Sequence, residues 1–288
     1  MDVTVIVKAP AKINLGLTVL DKRDDGFHNI LSIFQTVDLF DELTISEYGD
    51  TGLFCSQPSI PTGPDNLVIR AESCFLRMEP SLPRASFSLE KRIPVGAGLA
   101  GGSSDAAAAL KGLRLFHRCT DRVDDRSLYT CACELGSDVP FFLTGGTAVV
   151  RGRGEIVEKV QWPFDFTYVI VYPDISISTA WAYRRIRPTG HGYSPYCEMV
   201  ERFTSQSISS DEFLESLVND FEQPVFLEYP DLHSIKQSVV NSGAARAVMT
   251  GSGSSIVGIF TDSGKAELCA DDLRKNRLSV FVVISTKE

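Results

Sequence analysis

No run of 18 apolar residues occurs anywhere in the 288-residue chain, so no membrane span is expected. The opening residues, Met1-Asp2-Val3-Thr4, lack a basic region followed by an apolar core, so no signal peptide is expected either. Positive charge is scarce. The 28 lysines and arginines face 37 acidic residues, leaving a net charge of −9. That balance speaks against a general nucleic-acid or membrane-surface binder. It also means that a polyanionic substrate must be met by local positive groups. The seven cysteines form no metal-ligand pattern, and Cys131-Ala132-Cys133 is the only close pair. Most are expected to be reduced and structural, and their odd number points to a reducing cytoplasm. There is no internal repeat and no compositionally disordered segment. No Gly-Lys-Ser/Thr triplet is present, which excludes the P-loop of nucleotide hydrolases.

What the chain does have is glycine in one place. Pro94 to Ala107 reads PVGAGLAGGSSDAA, with Gly96, Gly98, Gly101 and Gly102 close together. Such a run forms no stable helix or strand by itself. Ser103, Ser104 and Asp105 then offer N-cap chemistry, and Ala106 to Phe116 is rich in helix formers. The segment therefore reads as a bare-backbone loop feeding a helix N-terminus, the geometry that captures phosphate. The dinucleotide pattern G-x-G-x-x-G matches at Gly96, Gly98 and Gly101. However, Lys91-Arg92-Ile93-Pro94 is not the buried apolar strand that the dinucleotide fold requires.

Hydrophobic content of 43% is ordinary for a globular chain, and its length allows two domains. Alternating and β-branched runs predict strands at 3–8, 13–20, 30–36, 41–46, 85–91, 147–151, 155–160, 168–172, 247–249, 256–260 and 279–284. Helical spacing predicts helices at 67–78, 104–116, 127–135, 179–187, 211–217, 232–242 and 265–273. Gly136 is expected to cap the third of these. Residues 58–65 and 189–195 read as loops. The mixed order of elements argues for α+β, with a boundary near Gln161-Trp162-Pro163 that divides residues 1–160 from 161–288.

The glycine loop resembles the phosphate loop of the kinases grouped as galactokinase, homoserine kinase, mevalonate kinase and phosphomevalonate kinase. Pro94, Gly98, Leu99, Gly101, Gly102, Ser103 and Ser104 fill similar places, and Ala100 stands where glycine is usual. An alanine is comfortable only at negative φ, so Ala100 is expected to reshape the cradle slightly. Further segments carry the likeness from Lys12 to Gly253: Ala9-Pro10-Ala11-Lys12-Ile13-Asn14-Leu15, then Arg23 to His28, Leu135 to Phe142, and Thr250 to Ser255. The resemblance implies an N-terminal ribosomal-protein-S5-like domain and a C-terminal ferredoxin-like domain. It implies a cytoplasmic enzyme, monomeric or weakly dimeric, that uses ATP and Mg²⁺. It implies phosphorylation of the 2-hydroxyl of a cytidine-diphosphate-linked methylerythritol.

Asp138 is the residue expected to orient or deprotonate the acceptor hydroxyl; its alternative is a cap before Pro140. Lys12 interrupts an apolar run (Ile6, Val7, Ile13, Leu15, Leu17), and a buried ammonium needs a carboxylate or phosphate partner. A Lys12–Asp138 pair would favour the carboxylate, and the lysine could bridge to the transferred phosphoryl group. Asn14 falls on the same strand face as Lys12, within reach of the acceptor hydroxyl. Phe27 could stack on cytosine and His28 could bond its edge, with Tyr183 as the opposite wall and Thr179 beside it. Gly251 and Ser252 are expected to close the acceptor side. Gly96 to Ser104 should hold the ATP phosphates, and the resemblance places Asn66, Leu67 and Lys91 near adenine and ribose. His117, His191 and His233 are given no role. Two other readings stay open. One is a superfamily member acting on mevalonate or homoserine, which measurable CDP binding would exclude. The other is a nucleotide-binding protein without catalysis.

Overall fold

The computed structural model describes residues 3–47, 51–186 and 195–286. The loop read at 189–195, with His191, lies almost wholly outside them. The first two strands are β1 (Thr4–Lys22) and β2 (His28–Ser46). Each joins two segments that sequence patterning separates. Pro10 sits inside β1, and β1 changes from alternating exposure to continuous burial after residue 10. The change of pattern looks like a break in sequence, but it marks a strand going from one covered face to two.

The remaining elements are β3 (Gly52–Cys55), α1 (Leu67–Met78), β4 (Ser86–Glu90), α2 (Gly101–Phe116), α3 (Asp125–Leu135), α4 (Val139–Thr144), β5 (Thr147–Arg151), β6 (Ile156–Val160), β7 (Thr167–Tyr172), α5 (Thr179–Arg185), α6 (Pro195–Thr204), α7 (Ser210–Glu215), α8 (Glu222–Glu228), α9 (Pro230–Asn241), β8 (Arg246–Met249), β9 (Ile256–Phe260), α10 (Ser263–Lys275) and β10 (Ser279–Ile284). Short β3, α4, α6 and α8 are the elements that patterning missed. Gly136 caps α3 as expected, with extended backbone at φ 172° and its N–H donating to Ala132 O.

Contacts divide the chain into two compact units that differ from a single cut near residue 161. One comprises 1–11, 39–93 and 100–144; the other comprises 12–38, 94–99 and 145–288. In the first unit, β4 pairs antiparallel with β2 and parallel with β3. α2 lies on this sheet. A methyl added to Gly112 would come within 2.5 Å of Ile45 Cδ1, so glycine there permits the close approach. Four consecutive alanines, Ala106 to Ala109, are buried on the same helix. Cys74 on α1 and Cys131 on α3 form a disulfide, with Cα atoms 6.0 Å apart. This corrects the expectation of reduced thiols for that pair. Facing helix positions 57 residues apart leave no mark in sequence spacing. Cys55, Cys119 and Cys269 are buried free thiols.

In the second unit, β5 pairs with β2 and β6. A separate antiparallel sheet has the order β10-β7-β9-β8. Taken with the helices between its strands, that order is the ferredoxin-like arrangement. β1 bends at Gly16, whose φ is +83°. Tyr196 fills the bend. Its hydroxyl donates to Leu15 O at 2.7 Å and accepts from Ile33 N at 3.2 Å. A methyl on Gly16 would lie 2.2 Å from the Tyr196 ring. Gly16→Ala is therefore expected to cost about 2–4 kcal/mol, from left-handed strain plus overpacking. A urea unfolding midpoint equal to that of the unsubstituted chain would show that the ring yields.

Candidate active site

In the first unit, α2 begins at Gly101, two and three residues before the expected caps Ser103 and Ser104. Ala100 occupies the N-cap position at φ 55°, ψ 32°, and makes no side-chain cap bond. Ala100 thus holds a left-handed conformation, at a cost of about 1–2 kcal/mol for a residue with a side chain. Asn66, Asp124, Ser178, Ser209 and Asp262 cap their own helices, whereas the Ala100 N-cap of α2 offers no side-chain cap bond. Ser104 Oγ is buried there without a hydrogen-bond partner. Free N–H groups, the positive helix end and an unpartnered hydroxyl suit a phosphate.

Leu67 lies under this end: a methyl on Gly102 would be 3.7 Å from its Cδ1. Asn66 spends its side chain as a cap, accepting from Val68 N and donating to Pro61 O. Lys91 is close to Gly101, but its ammonium is buried between Asp41 and Asp105. Asp138 is half-buried in the turn immediately before α4.

In the second unit, residues 94–99 of the loop interlock with β1 and the 250–254 turn. Gly96 and Gly98 both have positive φ. A Cβ on Gly98 would stand 2.4 Å from Thr250 O, so only glycine fits. Leu99 is buried, and its carbonyl accepts from Lys12 N at 3.1 Å. Tyr172 donates to Val95 O, next to Pro94.

The Lys12 side chain is buried as well. Its ammonium donates to Asn14 Oδ1 at 2.6 Å and to Gly98 O at 3.1 Å, and lies 4.7 Å from the centre of the Phe34 ring. Asn14 is 1% exposed. Its Oδ1 also accepts from Thr250 Oγ1, and its Nδ2 donates to Ser32 Oγ. The carboxamide thus holds Lys12 in place. Asn219 secures the turn from behind, donating to Met249 O at 2.6 Å and Gly251 O at 2.8 Å. Gly251 approaches Gly98 and Asn14. Ser252 bonds Thr179 at 3.1 Å.

The turn between β1 and β2 is built by local bonds: Phe27 N donates to Asp25, and Gly26 takes φ +85°. His28 stacks on Tyr183, centroids 5.2 Å apart and planes 19° apart. Phe27 is 51% exposed and lies under the Arg153 guanidinium, 4.9 Å from its ring centre. Burial, reinforced by Lys22 and opposed by Asp21, lowers the His28 pKa. His28 is thus neutral near pH 7, with one donor and one acceptor nitrogen. Thr250, Ser32, Asn219, Phe34 and Arg153 escaped sequence reasoning. Only Thr250 carried a signal, as the head of the third glycine cluster.

The fold and the loop together define a phosphate-binding small-molecule kinase. The family model described as "GHMP kinases N terminal domain" matches residues 66–146, and that described as "GHMP kinases C terminal" matches 206–277. The chain belongs to the GHMP kinases. It is 37% identical over 274 residues to the 4-diphosphocytidyl-2-C-methyl-D-erythritol kinase of Chlorobium phaeobacteroides (strain BS1), covering 94% of each chain. A crystal structure of 4-(cytidine 5'-diphospho)-2C-methyl-D-erythritol kinase superposes with a TM-score of 0.81 at 33% identity, over 99% of this chain and all of that one (100%). Homoserine kinase from Cytophaga hutchinsonii matches with a TM-score of 0.76 over 99% of this chain and 95% of that one. At 19% identity that likeness shows the fold alone. Within the family, the chain stands with the 4-diphosphocytidyl-2-C-methyl-D-erythritol kinases.

Proposed function

We propose that this chain transfers the γ-phosphoryl group of ATP to the 2-hydroxyl of 4-diphosphocytidyl-2-C-methyl-D-erythritol, a step of the non-mevalonate route to isoprenoid precursors. The observation that carries the reading is the Lys12 ammonium, buried and tied to the carbonyl of Gly98 inside the glycine loop. The relatives' name supplies the acceptor. The uncapped start of α2 holds the nucleotide phosphates. Lys12 neutralises charge that develops on the transferred group, and Asp138 orients the acceptor hydroxyl or takes its proton as the oxygen attacks phosphorus and ADP departs. Mg²⁺ accompanying ATP would offset phosphate charge. Among the described residues, no group of three or more His, Cys, Asp or Glu could hold a metal by itself.

His28 and Tyr183 read the cytosine, with Phe27 as an exposed stacking face. The reaction is tested by incubating purified protein with ATP and the cytidyl substrate and following the product by phosphorus NMR. Folded protein that yields no phosphorylated product would sink the reading. Measurable CDP binding separates it from mevalonate and homoserine kinases, whose substrates carry no nucleobase. His28→Ala is expected to raise KM for the cytidyl substrate about tenfold or more while saturated turnover changes little. Neutral His28 also fixes the sign of a pH effect. CDP affinity should be flat from pH 8 to 7, then fall at pH values below the ordinary imidazole range as the ring gains a proton. Titration calorimetry checks this, and affinity rising into acid would contradict it.

A further inference from the structure

A buried charge cluster in the first unit has no part in the chemistry above. Lys91 follows β4, and its side chain is 3% exposed. Its ammonium donates to Asp41 Oδ2, and to Asp105 Oδ2 at 2.8 Å. Asp41 is fully buried, and its other oxygen accepts the backbone N–H groups of Arg92 at 2.6 Å and Ile93 at 2.9 Å. Asp105 sits in the second turn of α2. The cluster therefore fixes the strap 91–93 that enters the glycine loop, and also the helix that leaves it. Gly101, the first residue of α2, rests on this cluster. A methyl there would come within 3.2 Å of Lys91 Nζ and 3.0 Å of Ile93 Cγ2.

We propose that Asp41, Lys91 and Asp105 are positioning residues for the nucleotide, setting the span of the glycine loop from beneath, and that Lys91 does not touch ATP. The proposal rests on the reading of the α2 N-terminus as the phosphate site. Gly96, Gly98 and Ala100 all have positive φ, and glycine-rich backbone has little stiffness of its own. Where its N–H donors point is then decided by the anchors at its ends. Binding to donors that are already placed avoids the ordering cost of a loose loop. Two carboxylates and one ammonium also make a cluster whose balance is easily upset, since removing one partner leaves buried charge unpaired. Asp105 is the gentlest place to intervene. Its Oδ1 has no hydrogen-bond partner, and burial, with the Asp41 charge, pushes its carboxyl upward against the opposing pull of Lys91.

Asp105→Asn keeps the shape and removes a charge. Calorimetric Kd values for ATP and for CDP should be measured separately, alongside the thermal midpoint. The expected result is ATP binding weakened about tenfold, with CDP binding within about twofold of the unsubstituted chain. A cluster that merely supported the fold would move the midpoint without that split, so ATP and CDP Kd values that shift by the same factor, or not at all, would overturn the proposal. Tighter ATP binding would overturn it in the other direction, because an ammonium released from Asp105 would then be reaching the nucleotide. If Asp105→Asn is too unstable to titrate, Asp105→Glu serves: it keeps the charge, displaces the carboxylate and should show the same ATP-selective loss. Unsubstituted protein that binds CDP but no ATP would reject the phosphate site itself, and this proposal with it.

Discussion

Lys12→Met is expected to lower turnover by about 10²–10³-fold, the loss seen when one preorganised electrostatic donor is removed from a developing charge. Methionine keeps the apolar stem and can still lie against Phe34, so the substitution removes the ammonium and little else. Of the two acceptors that the ammonium leaves behind, one keeps a donor: the single Thr250 hydroxyl proton can serve Asn14 Oδ1 at 3.1 Å or Gly98 O at 3.4 Å. Stability should therefore change by less than about 2 kcal/mol. Lys12→Arg should not restore activity, because a buried site with an acceptor at 2.6 Å has no room for a planar guanidinium. Quenched-flow single turnovers at saturating ATP measure the chemical step directly. A rate within threefold of the unsubstituted chain would remove Lys12 from the chemistry and leave it as a strut between β1 and the loop.

Elements made by local forces were legible in the sequence. α1 runs from Leu67 to Met78 as its periodicity predicts, and the hairpin around Gly152 falls where its glycines put it. The glycine loop also announced itself, since its chemistry lies in consecutive residues. Partnerships were not legible. Asn14 looked like a ligand contact because its spacing from Lys12 places both on one strand face. What occupies its carboxamide is Thr250, 236 residues away, and Ser32. Lys91 was placed near adenine and ribose by the resemblance, and what its ammonium meets has no local signal. The two carboxylates that bury it come from β2 and from α2, and no local pattern ties them together. Ala100 shows a third kind of failure. Propensity argued against positive φ, yet Ala100 sits at φ 55°. The Cys74–Cys131 bridge belongs to the same class, since compartment statistics say nothing about which helix faces meet.

Asp138→Asn is expected to lower turnover by about 10²–10⁴-fold, the range for a positioned base, with KM for ATP within about threefold. The competing role is local. Asp138 stands directly before α4, where a side-chain oxygen can accept a helix N–H, and aspartate is a preferred residue there. Asparagine caps about as well as aspartate, so the substitution leaves a cap in place while abolishing the negative charge. The two roles then separate cleanly. A residue that only capped would show unchanged turnover and an unchanged thermal midpoint. A residue that orients or deprotonates the hydroxyl would lose turnover at constant midpoint. Asp138→Ala adds the complementary control: it removes both functions, so it should lose the same turnover and about 1 kcal/mol of stability besides. Turnover of Asp138→Asn equal to that of the unsubstituted chain would withdraw Asp138 from the reaction and leave it as the cap of α4.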